Sequence, residues 1–157
     1  MEFKFDAAQE YQLDAIAAAC ELLEGQPNVP SQLVVPKGAS FQAIANRVAL
    51  DEAAVLANLN KVQEQRGIAP DVALETIESP IDTVSGSKQA RFPNFSIEME
   101  TGTGKTYVYL RTAHELFRSF GLRKFIIVVP SVAVREGVLK TLQITDKHLK
   151  ELYGNPP

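Results

Sequence analysis

The sequence predicts an α/β fold: an incomplete parallel sheet with flanking helices, preceded by a mostly helical N-terminal region. Three observations carry this. Phe95–Glu100 and Lys124–Pro130 are short apolar runs of strand length, and the second is β-branched in the manner of a strand buried on both faces. Each run is followed by a segment with helical spacing, and strand-helix-strand-helix order is the start of a parallel sheet. Upstream of residue 78 the apolar residues recur mainly at helical spacing instead.

The elements follow in order. Asp6 to Glu24 reads as a helix, with Tyr11, Leu13, Ile16, Ala19, Cys20 and Leu23 at helical spacing and Gly25 and Pro27 as its end. Residues 26–39 read as irregular, broken by Pro27, Pro30, Pro36 and Gly38 around a short Leu33-Val34-Val35 run. Ser40 has the chemistry of an N-cap for a second helix reaching Val48 or Leu50. Asp51 caps a third helix to about Arg66, with Val55, Leu56, Leu59 and Val62 as its stripe and Gly67 as its stop. Asp71 is expected to cap a short helix through Ile77, and Ser79–Pro93 reads as a linker. Lys105–Phe120 reads as a helix ended by Gly121, with Val108, Leu110, Leu116 and Phe117 among its apolar positions. Ser131 caps a helix through Leu139 or beyond, and a last helical segment around Asp146–Tyr153 precedes Gly154. No internal repeat is visible. Ile44 to Leu59 echoes the spacing of a helix-turn-helix, but its second helix opens on Asp51-Glu52 and would face phosphates with negative charge, which favours a plain helical packing pair.

A chain of 157 residues suits one ordinary domain. Its longest clear apolar run, Phe125–Pro130, is far too short for a membrane span, and the N-terminus Met-Glu-Phe-Lys-Phe-Asp is not a secretion signal. The lone Cys20 can form no internal disulfide and reads as a small core residue, so a reducing cytoplasm is expected. Charge is unevenly placed. Residues 1–100 hold 7 Lys/Arg and 15 Asp/Glu, net −8, whereas residues 101–157 hold 9 and 4, net +5. The basic part begins at Thr101 and offers a surface to a polyanion, although an ordinary solvated helix face explains the charge equally well.

Between the first strand and its helix lies Thr101-Gly102-Thr103-Gly104-Lys105-Thr106, a phosphate-binding loop in its proper context. Only backbone without side chains can wrap a phosphate chain closely, hence Gly102 and Gly104. Successive N–H groups and the positive end of the helix dipole then meet the anionic oxygens. Lys105 is expected to reach the β- and γ-phosphates of a nucleotide and the Thr106 hydroxyl to ligate Mg²⁺, which makes these two the candidate catalytic residues. The regular pattern G-x-x-x-x-G-K-[ST] would place its first glycine where Met99 stands. Glu98 and Glu100 flank the loop but are electrostatically awkward beside a triphosphate and are not assigned as bases. His114 reads as a helix-surface residue.

Phe95–Thr106 together with Lys124–Gly137 resembles the N-terminal part of the helicase-nuclease (Res) subunit of type III restriction enzymes, within superfamily 2 of helicases and translocases. Members of that superfamily commonly lack the leading glycine, which accommodates Met99. The resemblance implies a RecA-like lobe, an ATP and Mg²⁺ requirement, DNA as the tracked polymer, and a methyltransferase (Mod) subunit as partner. It likens Tyr11-Gln12 to the upstream element with which such motors read adenine; a carboxamide such as that of Gln12 can donate to N7 and accept from N6 together, with Tyr11 beside the base. The nucleotide set is therefore Tyr11, Gln12, Thr101, Gly102, Thr103, Gly104, Lys105 and Thr106. Pro130, Ser131 and Val132 resemble the next motif, which contacts the DNA backbone, with Arg135 assisting.

The resemblance divides the chain into a Gln-bearing helix (1–25), an inserted mostly helical region and linker (26–93), and the first half of RecA-like lobe 1 (94–157). Such a motor also needs an acidic pair after a buried strand, arginine fingers and a second lobe, none of which this sequence carries. The chain is thus expected to be an N-terminal fragment of an ATP-dependent translocase and endonuclease, inactive alone. A P-loop small-molecule kinase and a non-catalytic nucleotide-binding interaction module are the competing readings.

Overall fold

The structure, a computed structural model, describes residues 6–28, 32–34, 43–83 and 86–154. Four helices and two antiparallel ribbons make up the described elements: α1 (Glu10–Glu21), β1 (Gln32–Val34), β2 (Ala43–Ala45), α2 (Glu52–Gln65), β3 (Thr76–Thr83), β4 (Gly86–Pro93), α3 (Lys105–Phe120) and α4 (Val132–Tyr153).

The small core lies where α1 crosses α3. Ala15 and Ile16 pack on Val108, and Cys20 and Met99 close the cluster. Met99 therefore does a core residue's work at the position where the regular loop motif has glycine. Burial pushes the Cys20 thiol up to about 11, and Glu115 adds to the shift, so the thiolate needed for reactivity is suppressed. α2 joins α1 through two devices. Asn58 Nδ2 donates to the carbonyls of Leu22 (3.1 Å) and Glu24 (2.9 Å), which the end of α1 leaves without helical partners. Arg66 reaches Asp14 at 2.7 Å and Glu21 at 3.1 Å, a fork spanning both carboxylates. α4 lies along α3, with Val138, Thr145 and Leu149 buried. Thr145 is wholly buried, and its hydroxyl donates back to the Thr141 carbonyl at 2.8 Å.

The helix expectations hold where a cap or stop is strong. Asp51 accepts from the Ala54 N–H at 2.8 Å at the start of α2, Gly121 ends α3 with φ 70°, and Ser131 caps α4. α1 is shorter than its periodicity suggested. α4 is one continuous helix, where two segments were expected, because nothing between Leu139 and Asp146 breaks it.

Other expectations fail. Ser40 lies outside the described residues; of the helix it was to cap, 43–45 is strand β2 paired antiparallel with β1, and 46–50 is irregular. The helix-turn-helix therefore lacks its first helix. Asp71 starts no helix, because its carboxylate and N–H are taken by the Gln63 side chain (2.7 and 3.0 Å) and Thr76 already opens β3. The expected linker is the β3–β4 ribbon, in which Ile77 faces Phe92 and Glu78 faces Arg91. Cross-strand pairing outweighs the turn-like composition there.

The largest correction concerns the sheet. Neither Phe95–Glu100 nor Lys124–Pro130 forms a ladder among the described residues, so no parallel sheet is present among them. Ile126 and Val128 are 91% and 88% exposed. A run apolar on both faces is buried only when strands flank it and helices cover it, and no described strand lies beside this one. Its start is nevertheless held: Asn46 Oδ1 accepts from the N–H groups of Arg123 (2.8 Å) and Lys124 (3.1 Å), and Asn46 Nδ2 donates to the Lys124 carbonyl at 2.6 Å.

Candidate nucleotide-binding site

The site is built at the N-terminus of α3. Gly102 (φ 84°) and Gly104 (φ 83°) are both left-handed, a conformation that L residues with a Cβ resist. Their succession turns the chain sharply from the extended segment 95–100 into the helix. Gly104 is the N-cap and has no side chain with which to cap the first turn of α3. The loop is closed on itself through one carbonyl. Glu100 O accepts from Thr103 Oγ1 at 2.7 Å and from Lys105 Nζ at 2.6 Å. Lys105 is exposed and Thr106 half-buried on the first turn of α3.

α1 brings the second half of the site. Gln12 is buried at 8% exposure, and its Nε2 donates to the Thr103 carbonyl at 2.9 Å across 91 positions of sequence. One amide hydrogen is thereby engaged, leaving the second hydrogen and Oε1 as the groups for a ligand. A Cβ on Gly104 would stand 2.8 Å from the same Nε2, so this glycine makes room for Gln12 as well as for the turn. Tyr11 is half-exposed, and its hydroxyl donates to the Gln9 side chain.

Tyr11 and Thr101–Thr103 share one wall of a cleft of about 1150 Å³ between α1, α2 and residues 94–103. Ala15, Leu59 and Ile97 are among its apolar lining. Lys105 and Thr106 are not part of that lining. The cleft thus meets the loop on its Tyr11 side; charged side chains, Asp14, Arg66, Glu98 and Glu100 among them, also line it, whereas Lys105 does not.

The structure brings Tyr11, Gln12 and Thr101–Thr106 together. Pro130, Ser131, Val132 and Arg135 sit at the start of α4, all largely exposed, and share no hydrogen bond with the loop among the described residues. Ser131 Oγ accepts from the Val134 N–H at 3.3 Å, and Arg135 pairs with Glu136 at 3.3 Å in full solvent, a contact of little energetic weight. No group of three or more His, Cys, Asp or Glu side chains suited to a metal ion occurs among the described residues.

Sequence reasoning missed the anchoring of this assembly. Arg111, buried on α3, contacts the chain ahead of α1 and the end of α4. Its signal was an arginine at helical spacing from Tyr107 and Val108, on the stripe that faces the core. His114 is half-buried and stacked on Tyr153, with ring centroids 5.1 Å apart, and burial lowers its pKa. The expected surface histidine is thus a packing residue.

Residues 7–154 match the family model described as type III restriction enzyme, res subunit. The chain belongs to that Res subunit family. Over 98 residues it is 37% identical to the Type III restriction-modification enzyme EcoPI Res subunit of Escherichia phage P1, covering 61% of this chain and 9% of the relative. The EcoP15I Res subunit of Escherichia coli matches with the same identity and coverage. The StyLTI Res subunit of Salmonella typhimurium (strain LT2) is 45% identical over 64 residues, 40% of this chain and 6% of the relative. This Res-family chain therefore aligns with less than a tenth of the length of these relatives, and no solved structure matches it. Among its described residues no helix is long and apolar enough to cross a membrane.

Proposed function

We propose that this chain binds MgATP as part of an ATP-dependent DNA translocase of a type III restriction system. The observation that carries the reading is the buried Gln12 amide on the Thr103 carbonyl, which joins a base-reading group to a glycine loop shaped for phosphates. In this reading residues 94–157 are the first half of a RecA-like lobe, 1–25 supply the adenine-reading helix, and 26–93 are inserted between them. The exposed run 124–130 and the unpaired 95–100 are then strands whose neighbours belong to the rest of the lobe, which suits their composition.

Each group has a role. The N–H groups after Gly102 and Gly104 and the Lys105 ammonium bind the phosphates, Gln12 and Tyr11 hold the adenine, and Thr106 helps hold Mg²⁺, which neutralises charge on the β- and γ-phosphate oxygens when bound. Pro130, Ser131, Val132 and Arg135 contact the DNA backbone, where a helix start and a cation suit phosphate. The whole enzyme acts in the cytoplasm beside a methyltransferase subunit.

Two results test this. MgATP is expected to bind more tightly than MgGTP, and Gln12→Ala is expected to cost about tenfold in ATP affinity with little change for GTP, the weight of one hydrogen-bonding group. Equal affinity of the unaltered chain for the two nucleotides would remove Gln12 from its role. In phosphate-release assays the 157-residue chain is expected to show little or no ATP turnover, because phosphoryl transfer needs metal, water and positive charge placed together and no acidic pair follows a strand here. Sustained turnover abolished by Lys105→Ala would overturn that expectation.

A further inference from the structure

Arg111 is buried on the second turn of α3, yet it makes no obvious contribution to a phosphate site. Its guanidinium meets three groups, one ahead of α1, one on α4 and one on α3 itself. Nη1 donates to the Ala7 carbonyl at 2.7 Å, Nε donates to the Tyr153 hydroxyl at 2.9 Å, and the guanidinium carbon stands 5.9 Å from the Tyr107 ring centroid. Tyr153 in turn donates to Glu115 at 2.7 Å, so the buried cation is joined to a carboxylate through a hydroxyl. Burial pushes the Tyr153 hydroxyl up to about 12, which keeps that proton on oxygen near neutral pH.

Ala7 lies two residues ahead of the N-cap of α1 and five ahead of Gln12. α1 is therefore tied to the loop helix at two polar points, Arg111 to Ala7 and Gln12 to Thr103, with Ile16 packed on Val108 between the helices. The two ties differ in kind. The Gln12 contact is a neutral amide bond that lies in the candidate site itself. The Arg111 contact is part-buried like the first, but it is charge-assisted and lies outside the site, and its charge makes it the stronger of the two. Placing a cation in a protein interior costs more than an apolar side chain of the same volume, so its retention is consistent with a geometric purpose.

We propose that Arg111 is the positioning residue that sets α1 on α3, so that Gln12 meets both Thr103 and the base. This rests on the nucleotide reading above. Arg111 touches no reacting group; it acts through α1, and losing it lets Gln12 drift from the loop while the loop itself stays folded.

The test uses the 157-residue chain with three ligands: MgATP, MgGTP and magnesium tripolyphosphate, which engages the phosphate loop alone. Arg111→Met, which keeps an unbranched apolar stem and loses the guanidinium, is expected to lower the ATP-over-GTP preference by about tenfold and leave tripolyphosphate affinity unchanged, with Arg111→Lys recovering part of the preference. Amide hydrogen exchange is expected to quicken in residues 10–16 and not in α2. An ATP preference and α1 exchange both unchanged in Arg111→Met would overturn the proposal. If that variant fails to fold, Tyr153→Phe decides: removing the hydroxyl relay is expected to reduce the preference and quicken α1 exchange, and no change in either refutes the role. A chain that binds none of the three ligands would sink the nucleotide reading and leave the exchange measurement to judge Arg111 as the anchor of α1.

Discussion

Replacing Lys105 with alanine is expected to weaken MgATP binding by roughly tenfold to a hundredfold, the range of a lost hydrogen bond to a charged group. Lys105 is exposed at the first position of α3, where its ammonium now rests on the Glu100 carbonyl at 2.6 Å. That carbonyl keeps a second donor, Thr103 Oγ1, when the lysine is gone, so the loop should hold its shape. The substitution therefore removes charge without disturbing the core, and the melting temperature should hardly move. In the proposed site Lys105 acts on phosphates and not on the base, so tripolyphosphate should lose as much affinity as ATP. Calorimetric titration with both ligands decides the matter. Near-native ATP affinity in Lys105→Ala would mean that the loop does not use its lysine for phosphate, and the nucleotide reading would lose its main cation.

Gly104→Ala is expected to damage both halves of the site at once. Its φ of 83° puts an L residue in a region that costs about 1–2 kcal/mol. The new Cβ would also stand 2.8 Å from Gln12 Nε2, the end of a flexible side chain, which must shift and is expected to loosen its bond to the Thr103 carbonyl. Gly102 provides the control, because its φ is 84° and a Cβ there meets nothing within 4 Å. Gly102→Ala should therefore carry the backbone cost alone. The difference between the two variants isolates the coupling of Gln12 to the loop. Both should melt lower than the unaltered chain, but only Gly104→Ala should lose the preference for ATP over GTP. Equal ATP-to-GTP ratios in the two variants would show that Gln12 does not depend on the space Gly104 leaves.

How much of this was legible in the sequence depended on the range of the forces involved. Asp51, Gly121 and Ser131 act on the turn next to them, and the helix ends they mark are where local reasoning put them. Gly102 and Gly104 likewise announce a left-handed loop before a helix, because only backbone sterics are involved. The failures have one cause. Residues 43–45, 76–83 and 86–93 satisfy helix-like or loop-like local rules but exchange hydrogen bonds with a partner strand, and pairing is invisible to periodicity. The opposite failure occurs at 95–100 and 124–130, which have strand composition and no neighbouring strand among the described residues. Composition specifies what a segment would do with a partner; it cannot supply one.

The sequence by itself determined the glycine-built turn of the loop and the family of the chain, since both reside in contiguous runs of residues. Only the tertiary structure decided that Gln12 meets that loop through the Thr103 carbonyl, that Met99 has exchanged the missing glycine for a place in the core, and that Arg111 ties the chain ahead of α1 to the helix the loop begins. These contacts join residues as many as 104 positions apart. Each depends on how two helices sit on one another, a quantity set by packing over a whole interface and by no single stretch of sequence.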